Sequence, residues 1–262
     1  MVLVKESKMN LDIKFEQHFC IDNNLIQNLV KAAELDKEDV VLEIGPGKGI
    51  LTRELAKKVK KVMAVEIDLN LKSYLGDLPS NVELLWMDIM DFLPSGKGFN
   101  KIVANIPYQI CEPLLQYLCT AKQVEMAVLT VPKHFAQVAQ EHPVLSAWLE
   151  VKLISEVPPE SFDPKPKVQS ALIKITRNQE DSDSLFLIRN LSLQRDKKVK
   201  NGLMESIIAL AQKRYQKVCT KKQAEKIIQQ LHLPKKVLEG LIARLPLKFY
   251  SEIAEGIKKM EF

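Results

Sequence analysis

Cysteine, histidine and the aromatic residues are all sparse in this 262-residue chain, which has four Cys, four His and 6% aromatic content. Cys20, Cys111, Cys119 and Cys219 form no Cys-x-x-Cys pair, and the histidines do not fall at metal-ligand spacings, so neither a disulfide framework nor a bound metal is expected. Structural thiols in a reducing compartment fit better. Long hydrophobic runs are missing too: none approaches the roughly 20 residues of a membrane span. Residues 1–8 lack the apolar core of a signal peptide. These absences lead us to expect a cytoplasmic protein without a membrane partner; a monomer is also expected. No internal repeat or low-complexity tract is evident.

What is present is typical of a folded chain, with 46% hydrophobic and 27% charged residues. The length suits one large domain and a small one. The net charge of +5 is unevenly spread: residues 178–262 hold 17 Lys and Arg against 10 Asp and Glu, leaving the rest slightly acidic. Arg195-Asp196-Lys197-Lys198-Val199-Lys200 and Lys213-Arg214-Tyr215-Gln216-Lys217, followed by Lys221 and Lys222, read either as a surface for a phosphate backbone or as solvated helix faces.

Apolar patterning resolves the large domain. Residues 40–45, 62–67, 82–87, 101–106 and 126–131 read as strands separated by helical stretches such as 51–58 and 113–119, and Asp22 is placed to cap a helix before the first of them. That alternation predicts a doubly wound, mostly parallel sheet. Residues 151–157 and 171–176, on either side of a proline-rich segment, could close it as a hairpin, giving seven strands. Residues 177–184 read as a linker, and from 185 onward the pattern is helical. The predicted domains are thus 1–177 and 185–262.

The most informative segment is Leu42-Glu43-Ile44-Gly45-Pro46-Gly47-Lys48-Gly49. A short buried strand leads into alternating glycines, which permit a tight turn and close backbone approach to a ligand. Glu66 ends the next strand, 21 positions after Gly45, about where an acidic side chain reaches a nucleoside ribose. The loop alone also fits an ordinary turn. Its Glu-x-Gly-x-Gly-x-Gly spacing differs from the Gly-x-Gly-x-x-Gly of dinucleotide sites, which favours S-adenosylmethionine over NAD. Asp88, at the end of the third strand, could accept from the amino group of the cofactor's adenine, or simply cap a helix.

Asn105-Ile106-Pro107-Tyr108 follows the fourth strand. An exocyclic amine such as adenine N6 is a poor nucleophile because its lone pair is delocalised into the ring. The Asn105 side-chain oxygen and a backbone carbonyl beside Pro107 could both accept from that amine and localise the pair, while Tyr108 stacks on the ring. A plain strand-to-loop turn is the alternative.

These motifs, together with Gln17-His18-Phe19-Cys20-Ile21-Asp22 and the stretch Val157-Pro158-Pro159-Glu160-Ser161-Phe162-Asp163-Pro164-Lys165-Pro166-Lys167-Val168-Gln169-Ser170-Ala171, resemble the ribosomal RNA adenine dimethyltransferases, particularly archaeal and eukaryotic members. The resemblance spans most of residues 15–177 and extends to the start of a helical C-terminal domain. It implies a class I, Rossmann-like methyltransferase fold, and His18, Cys20, Gly45, Gly47, Glu66, Asp88 and Asn105 lining an S-adenosylmethionine site. Cys20 stands where the family usually has Leu. It also implies that Asn105, Pro107 and Tyr108 act on the target amine, with Phe162 on the opposite face of a base removed from its stack; packing of Phe162 against the sheet edge is the alternative. The implied reaction is two methyl transfers to adenine N6 at two adjacent adenosines of small-subunit ribosomal RNA, on a pre-small subunit.

One departure stands out. After the fifth strand the family's glycine-containing loop and Tyr-Gly-Arg element are missing, and the chain reads Val131-Pro132-Lys133-His134-Phe135, then His142-Pro143-Val144-Leu145-Ser146-Ala147-Trp148. This motivates a second reading, a small-subunit assembly factor that keeps the fold with little catalysis; a third, a methyltransferase for another amine such as DNA adenine or a protein glutamine, rests on related Asn-Pro-Tyr clamps, and the Phe162 region and basic helical part argue for RNA instead.

Overall fold

The computed structural model describes residues 17–259. Among these residues two compact units emerge, one of 17–141 and 149–177, the other of 142–148 and 178–259. The first unit contains β1 (Phe19–Cys20), α1 (Asn23–Ala32), β2 (Val40–Ile44), α2 (Ile50–Ala56), β3 (Lys61–Glu66), α3 (Lys72–Leu75), β4 (Val82–Trp86), α4 (Ile89–Phe92), β5 (Lys101–Asn105), α5 (Cys111–Thr120), β6 (Met126–Pro132), α6 (Lys133–Glu141), β7 (Leu149–Val157), β8 (Phe162–Asp163) and β9 (Ser170–Arg177).

Seven of these strands form one sheet in the order β4-β3-β2-β5-β6-β9-β7. The five from β2 to β6 run parallel, whereas β9 and β7 are antiparallel, so the expected hairpin closes the sheet with β9 inserted beside β6. The sheet is the predicted doubly wound one, because β-branched and aliphatic runs such as Val40–Ile44 and Lys101–Asn105 are buried on both faces by helices. Asp22 caps α1 by accepting from the Asn24 amide at 2.8 Å, and Leu25, Ile26 and Leu29 turn inward against Val41, Val103 and Val128.

Strand order reverses between β2 and β5. The chain proceeds from β2 outward through β3 and β4, then returns to pair β5 against the free side of β2 (Val41 with Lys101, Leu42 with Ile102). Ligands in open α/β sheets collect outside the carboxyl ends of strands at such a reversal. The opposite end of the pair is pinned by a buried ion pair: Lys101 Nζ donates to Asp39 Oδ2 at 2.8 Å and to the Glu34 carbonyl at 2.6 Å. Asp39 also accepts from the Asn100 side chain at 2.7 Å and the Asp36 amide at 2.6 Å.

The helical unit comprises α7 (Pro143–Trp148), α8 (Asp183–Ser192), α9 (Val199–Tyr215), α10 (Lys221–Gln230), α11 (Lys235–Glu239) and α12 (Leu247–Lys258). Leu187, Leu191, Leu203, Ile207, Ile228 and Ile253 form its core. Ser182 caps α8, and Thr220 with Gln223 makes a capping box on α10. The polar stretch expected as a linker is tied into this unit, since Asn178 donates to the Ser146 carbonyl at 2.7 Å and Arg214 bonds Asp181 at 2.6 Å.

Removal of the Lys101 ammonium in Lys101→Met strands Asp39 and the Glu34 carbonyl in a dry interior, and is expected to cost about 3–5 kcal/mol, read by urea denaturation at pH 7. Burial alone raises the Asp39 pKa, but its bonds to Lys101, Asp36 and Asn100 outweigh that and hold it below the usual carboxylate range. The contribution of a depressed carboxylate is present above its unfolded pKa and lost as pH falls through the folded one. Acid titration of the wild type should therefore show a loss below about pH 4 that is smaller in Lys101→Met.

Candidate active site

The glycine loop begins where β2 ends. Gly45 donates to the Val65 carbonyl at 2.9 Å, prolonging the β2–β3 ladder by one bond before the chain turns. Gly45, Gly47 and Gly49 all have left-handed backbone, with φ of 67°, 59° and 76°, which L side chains rarely adopt. Glu66 faces the loop from the end of β3. Its Oε1 accepts from the Ile67 and Asp68 amides, each at 2.9 Å, and its Oε2 from the Gly47 amide at 3.3 Å. Desolvation raises its pKa against the pull of these three bonds; it is 4% exposed.

Asn105 and Tyr108 lie one strand away, at the end of β5 and just beyond it. A Cβ placed on Gly45 would sit 3.9 Å from Pro107 Cδ, so the loop and the Asn-Ile-Pro-Tyr segment meet directly. Asn105 Nδ2 donates to the His18 carbonyl at 3.0 Å. That bond fixes which way the amide points and leaves Oδ1 as the acceptor. The Tyr108 ring starts a 3-10 turn, Tyr108–Ile110, with its centroid 6.1 Å from the His18 ring.

The opposite wall of the expected clamp is not open. Phe162 is 2% exposed and packs in the cluster containing Leu25, Ile26, Val157 and Leu172. The cause is the pairing of β8 with β1, Cys20 opposite Phe162, which turns the side chain inward. In this arrangement Phe162 packs as its alternative reading has it.

β1 and its flanks bring the remaining candidates together. Gln17 donates to Asp68 at 3.0 Å, and His18 Nδ1 lies 2.7 Å from the Pro164 carbonyl, which fixes the donor on that nitrogen. Phe19 lies over Gly47 so closely that a Cβ there would come within 3.1 Å of Cδ1, and Lys48 Nζ stands 4.9 Å from the Phe19 ring. The Cys20 thiol is half-buried, and burial raises its pKa to about 11, which makes it an inert side chain. Asp88 does cap α4, accepting from the Met90 amide at 2.8 Å through Oδ1. Its other oxygen makes no hydrogen bond among the described residues.

The chain belongs to the ribosomal RNA adenine dimethylase family. The family model matches residues 8–233. A probable ribosomal RNA small subunit methyltransferase A of Methanococcus aeolicus is 38% identical over 218 residues, covering 76% of this chain and 80% of its own. The protein of that name from Methanopyrus kandleri is 33% identical over 264 residues, covering 92% and 90%. A dimethyladenosine transferase from Plasmodium falciparum has a similar fold, with a TM-score of 0.61 at 22% identity over 92% of this chain and 98% of that one. The fold is that of class I methyltransferases.

Glu43 was not singled out by the sequence reading, although an acidic residue inside Val-Val-Leu-Glu-Ile is itself a signal. It is 1% exposed, its Oε2 has no partner, and it lies beside the Thr52 hydroxyl without an ordinary hydrogen bond. Burial raises its pKa to about 8, opposed by Thr52 and reinforced by the Glu66 charge. A raised carboxyl favours folding at low pH and loses that contribution as pH rises from its unfolded value toward about 8. Relative to Glu43→Gln, the ligand-free wild type should lose on the order of 1.4 kcal/mol per pH unit across that window. Urea denaturation of both proteins between roughly pH 5 and 9 measures it; a constant difference would mean Glu43 does not titrate there.

Proposed function

We propose that the chain transfers methyl groups from S-adenosylmethionine to adenine N6, twice at each of two adjacent adenosines of small-subunit ribosomal RNA. Membership of the family and 33–38% identity to small-subunit methyltransferases support the substrate class. The observation that carries the chemistry is Asn105: its amide is oriented by the His18 carbonyl and sits beside the glycine loop.

The residues fit S-adenosylmethionine. Three left-handed glycines leave the loop's backbone bare for close approach, Glu66 offers a carboxylate to ribose hydroxyls, Asp88 keeps an oxygen for an adenine amino group, and the orphaned Glu43 Oε2 is a buried acceptor on the loop's strand. When bound, the cofactor supplies a methyl group on a sulfonium, an electrophile that needs no activation by metal. Among the described residues no His, Cys, Asp and Glu cluster could hold one.

Asn105 Oδ1 accepts from the target amino group and draws its lone pair out of conjugation, toward the methyl carbon. The carbonyl beside Pro107 accepts the second N–H. Both acceptors are neutral, so neither competes for the sulfonium charge, and Tyr108 holds the base by stacking. The nitrogen would gain the methyl carbon as that carbon's bond to sulfur breaks, leaving a neutral thioether, and the displaced amine proton would pass to solvent; repetition gives the dimethylated base. Phe162 contributes the second wall only if β8 rearranges on RNA binding. Its burial and the short segment after His134 favour a second reading, an assembly factor with little catalysis, which an inactive wild type would establish.

Asn105→Ala is expected to slow methyl transfer on undermethylated small subunits by roughly a hundredfold or more. Single-turnover assays at saturating cofactor isolate the chemical step from any loss of cofactor affinity. Transfer at the wild-type rate would eliminate the clamp mechanism.

The helical unit supplies the RNA-binding surface in this reading. Several of its cations are occupied internally: Lys197 with Glu205, Lys200 with Glu225, and Arg214 with Asp181 and Asp183. Lys198, Lys221 and Lys222 are exposed and form no ion pair among the described residues. Replacing these three with Ala should weaken small-subunit binding and make log K fall less steeply with log salt, by about 0.7–0.9 for each phosphate no longer neutralised. Filter binding between about 50 and 200 mM salt reads the slope, and an unchanged slope would move the RNA surface elsewhere.

A further inference from the structure

We propose that Ser170 is a positioning residue for methyl transfer: its hydroxyl holds the far end of the Tyr108 ring in the pose that stacks on the amine-bearing base. The inference deepens the proposed function and rests on its assignment of Tyr108.

Ser170 Oγ lies 2.7 Å from the Tyr108 hydroxyl. Ser170 is 0% exposed, and this phenol is its one side-chain partner among the described residues. A buried hydroxyl costs free energy unless bonded, and the neighbouring Ala171, Leu172 and Ile173 show that an apolar side chain suits this strand. Space-filling alone would be met by Ala. The serine is explained by its bond.

The two ends of that bond differ in rigidity. Ser170 begins β9 and is in register with Pro132 of β6 on one side and Val157 of β7 on the other, so three strands fix it. Tyr108 stands on a short 3-10 turn after Pro107, outside the sheet and half-buried. Its χ1 has three staggered wells, and turn geometry alone does not select one. The phenol oxygen lies on the ring's long axis, so a bond there fixes where the ring points. His18, with its ring centroid 6.1 Å away, bounds the other side. Burial raises the Tyr108 pKa and the bond to Ser170 opposes it, so the phenol stays protonated at neutral pH and can donate or accept.

Wild type, Ser170→Ala, Tyr108→Phe and the double variant are compared as full-length proteins. Single-turnover methyl transfer to undermethylated small subunits is measured at saturating labelled S-adenosylmethionine, with calorimetry for cofactor affinity. Each single change should slow transfer about tenfold, as expected for one oriented hydrogen bond. The double variant should be no slower than the slower single, because both changes break the same bond, and cofactor affinity should hold. A folded Ser170→Ala at the wild-type rate, or losses that multiply in the double variant, would overturn the inference and leave the proposed function standing. If Ser170→Ala does not fold, Tyr108→Phe alone decides, a wild-type rate being contrary. An inactive wild type overturns the proposed function and this inference with it.

Discussion

The pairing of β5 against β2 is the contact on which the site depends. Had the chain continued outward after β4, the glycine loop and the Asn-Ile-Pro-Tyr segment would stand at different places along the sheet edge. Because it returns, Gly45 and Pro107 come into contact range at the carboxyl ends of adjacent strands. The return is held at its other end by Lys101 and Asp39, a buried ion pair whose hydrogen bonds are all within the sheet unit. Such a pair is weak support for net stability compared with an apolar replacement, but a strong bar to breaking it on one side. Here it fixes which strand lies beside β2, and thereby what meets at the far end.

A second dependency runs through β1. Two residues long, this strand could not persist alone, and it is held by β8. Its Phe19 roofs Gly47, and of the residues that precede it the His18 carbonyl orients Asn105 and Gln17 bonds Asp68. The same pairing turns Phe162 into the core. Orientation of the acceptor and burial of the aromatic wall are thus consequences of one ribbon.

The sheet was legible because its signals are local. Seven apolar runs, an alternating glycine turn and an Asp before an amphipathic helix each carry their own physical reason, and the observed strands lie within about two residues of those read from patterning. What was not legible depends on contacts between distant residues. Phe162 reads identically whether it faces a base or the core, and only the Cys20 register decides. Ser170, in an apolar run, gives no sign that a tyrosine 62 positions earlier is its partner. Residues 142–148 follow α6 without a break in composition, yet belong to the helical unit, with Ala147 in its core. Glu43 could have been found, since a carboxylate inside an aliphatic strand must be bonded, neutral or functional.

Charge is where counting misleads most. The excess of Lys and Arg over Asp and Glu in residues 178–262 describes a field at long range, one that would steer a polyanion toward the helical unit. Affinity, however, is set by cations free to replace counterions at phosphates. A lysine already paired must first give up its carboxylate, so Lys197, Lys200 and Arg214 contribute less than their number suggests. Arg214 is the clearest case: it bonds both Asp181 and Asp183 and so ties the end of α9 to the start of α8. Its charge is used to hold the helical unit together. Lys198, Lys221 and Lys222 have no ion pair among the described residues and stand at the starts of α9 and α10, where helix dipoles do not favour positive charge. In the proposed reading, a phosphate near those helix ends would satisfy lysine and dipole together.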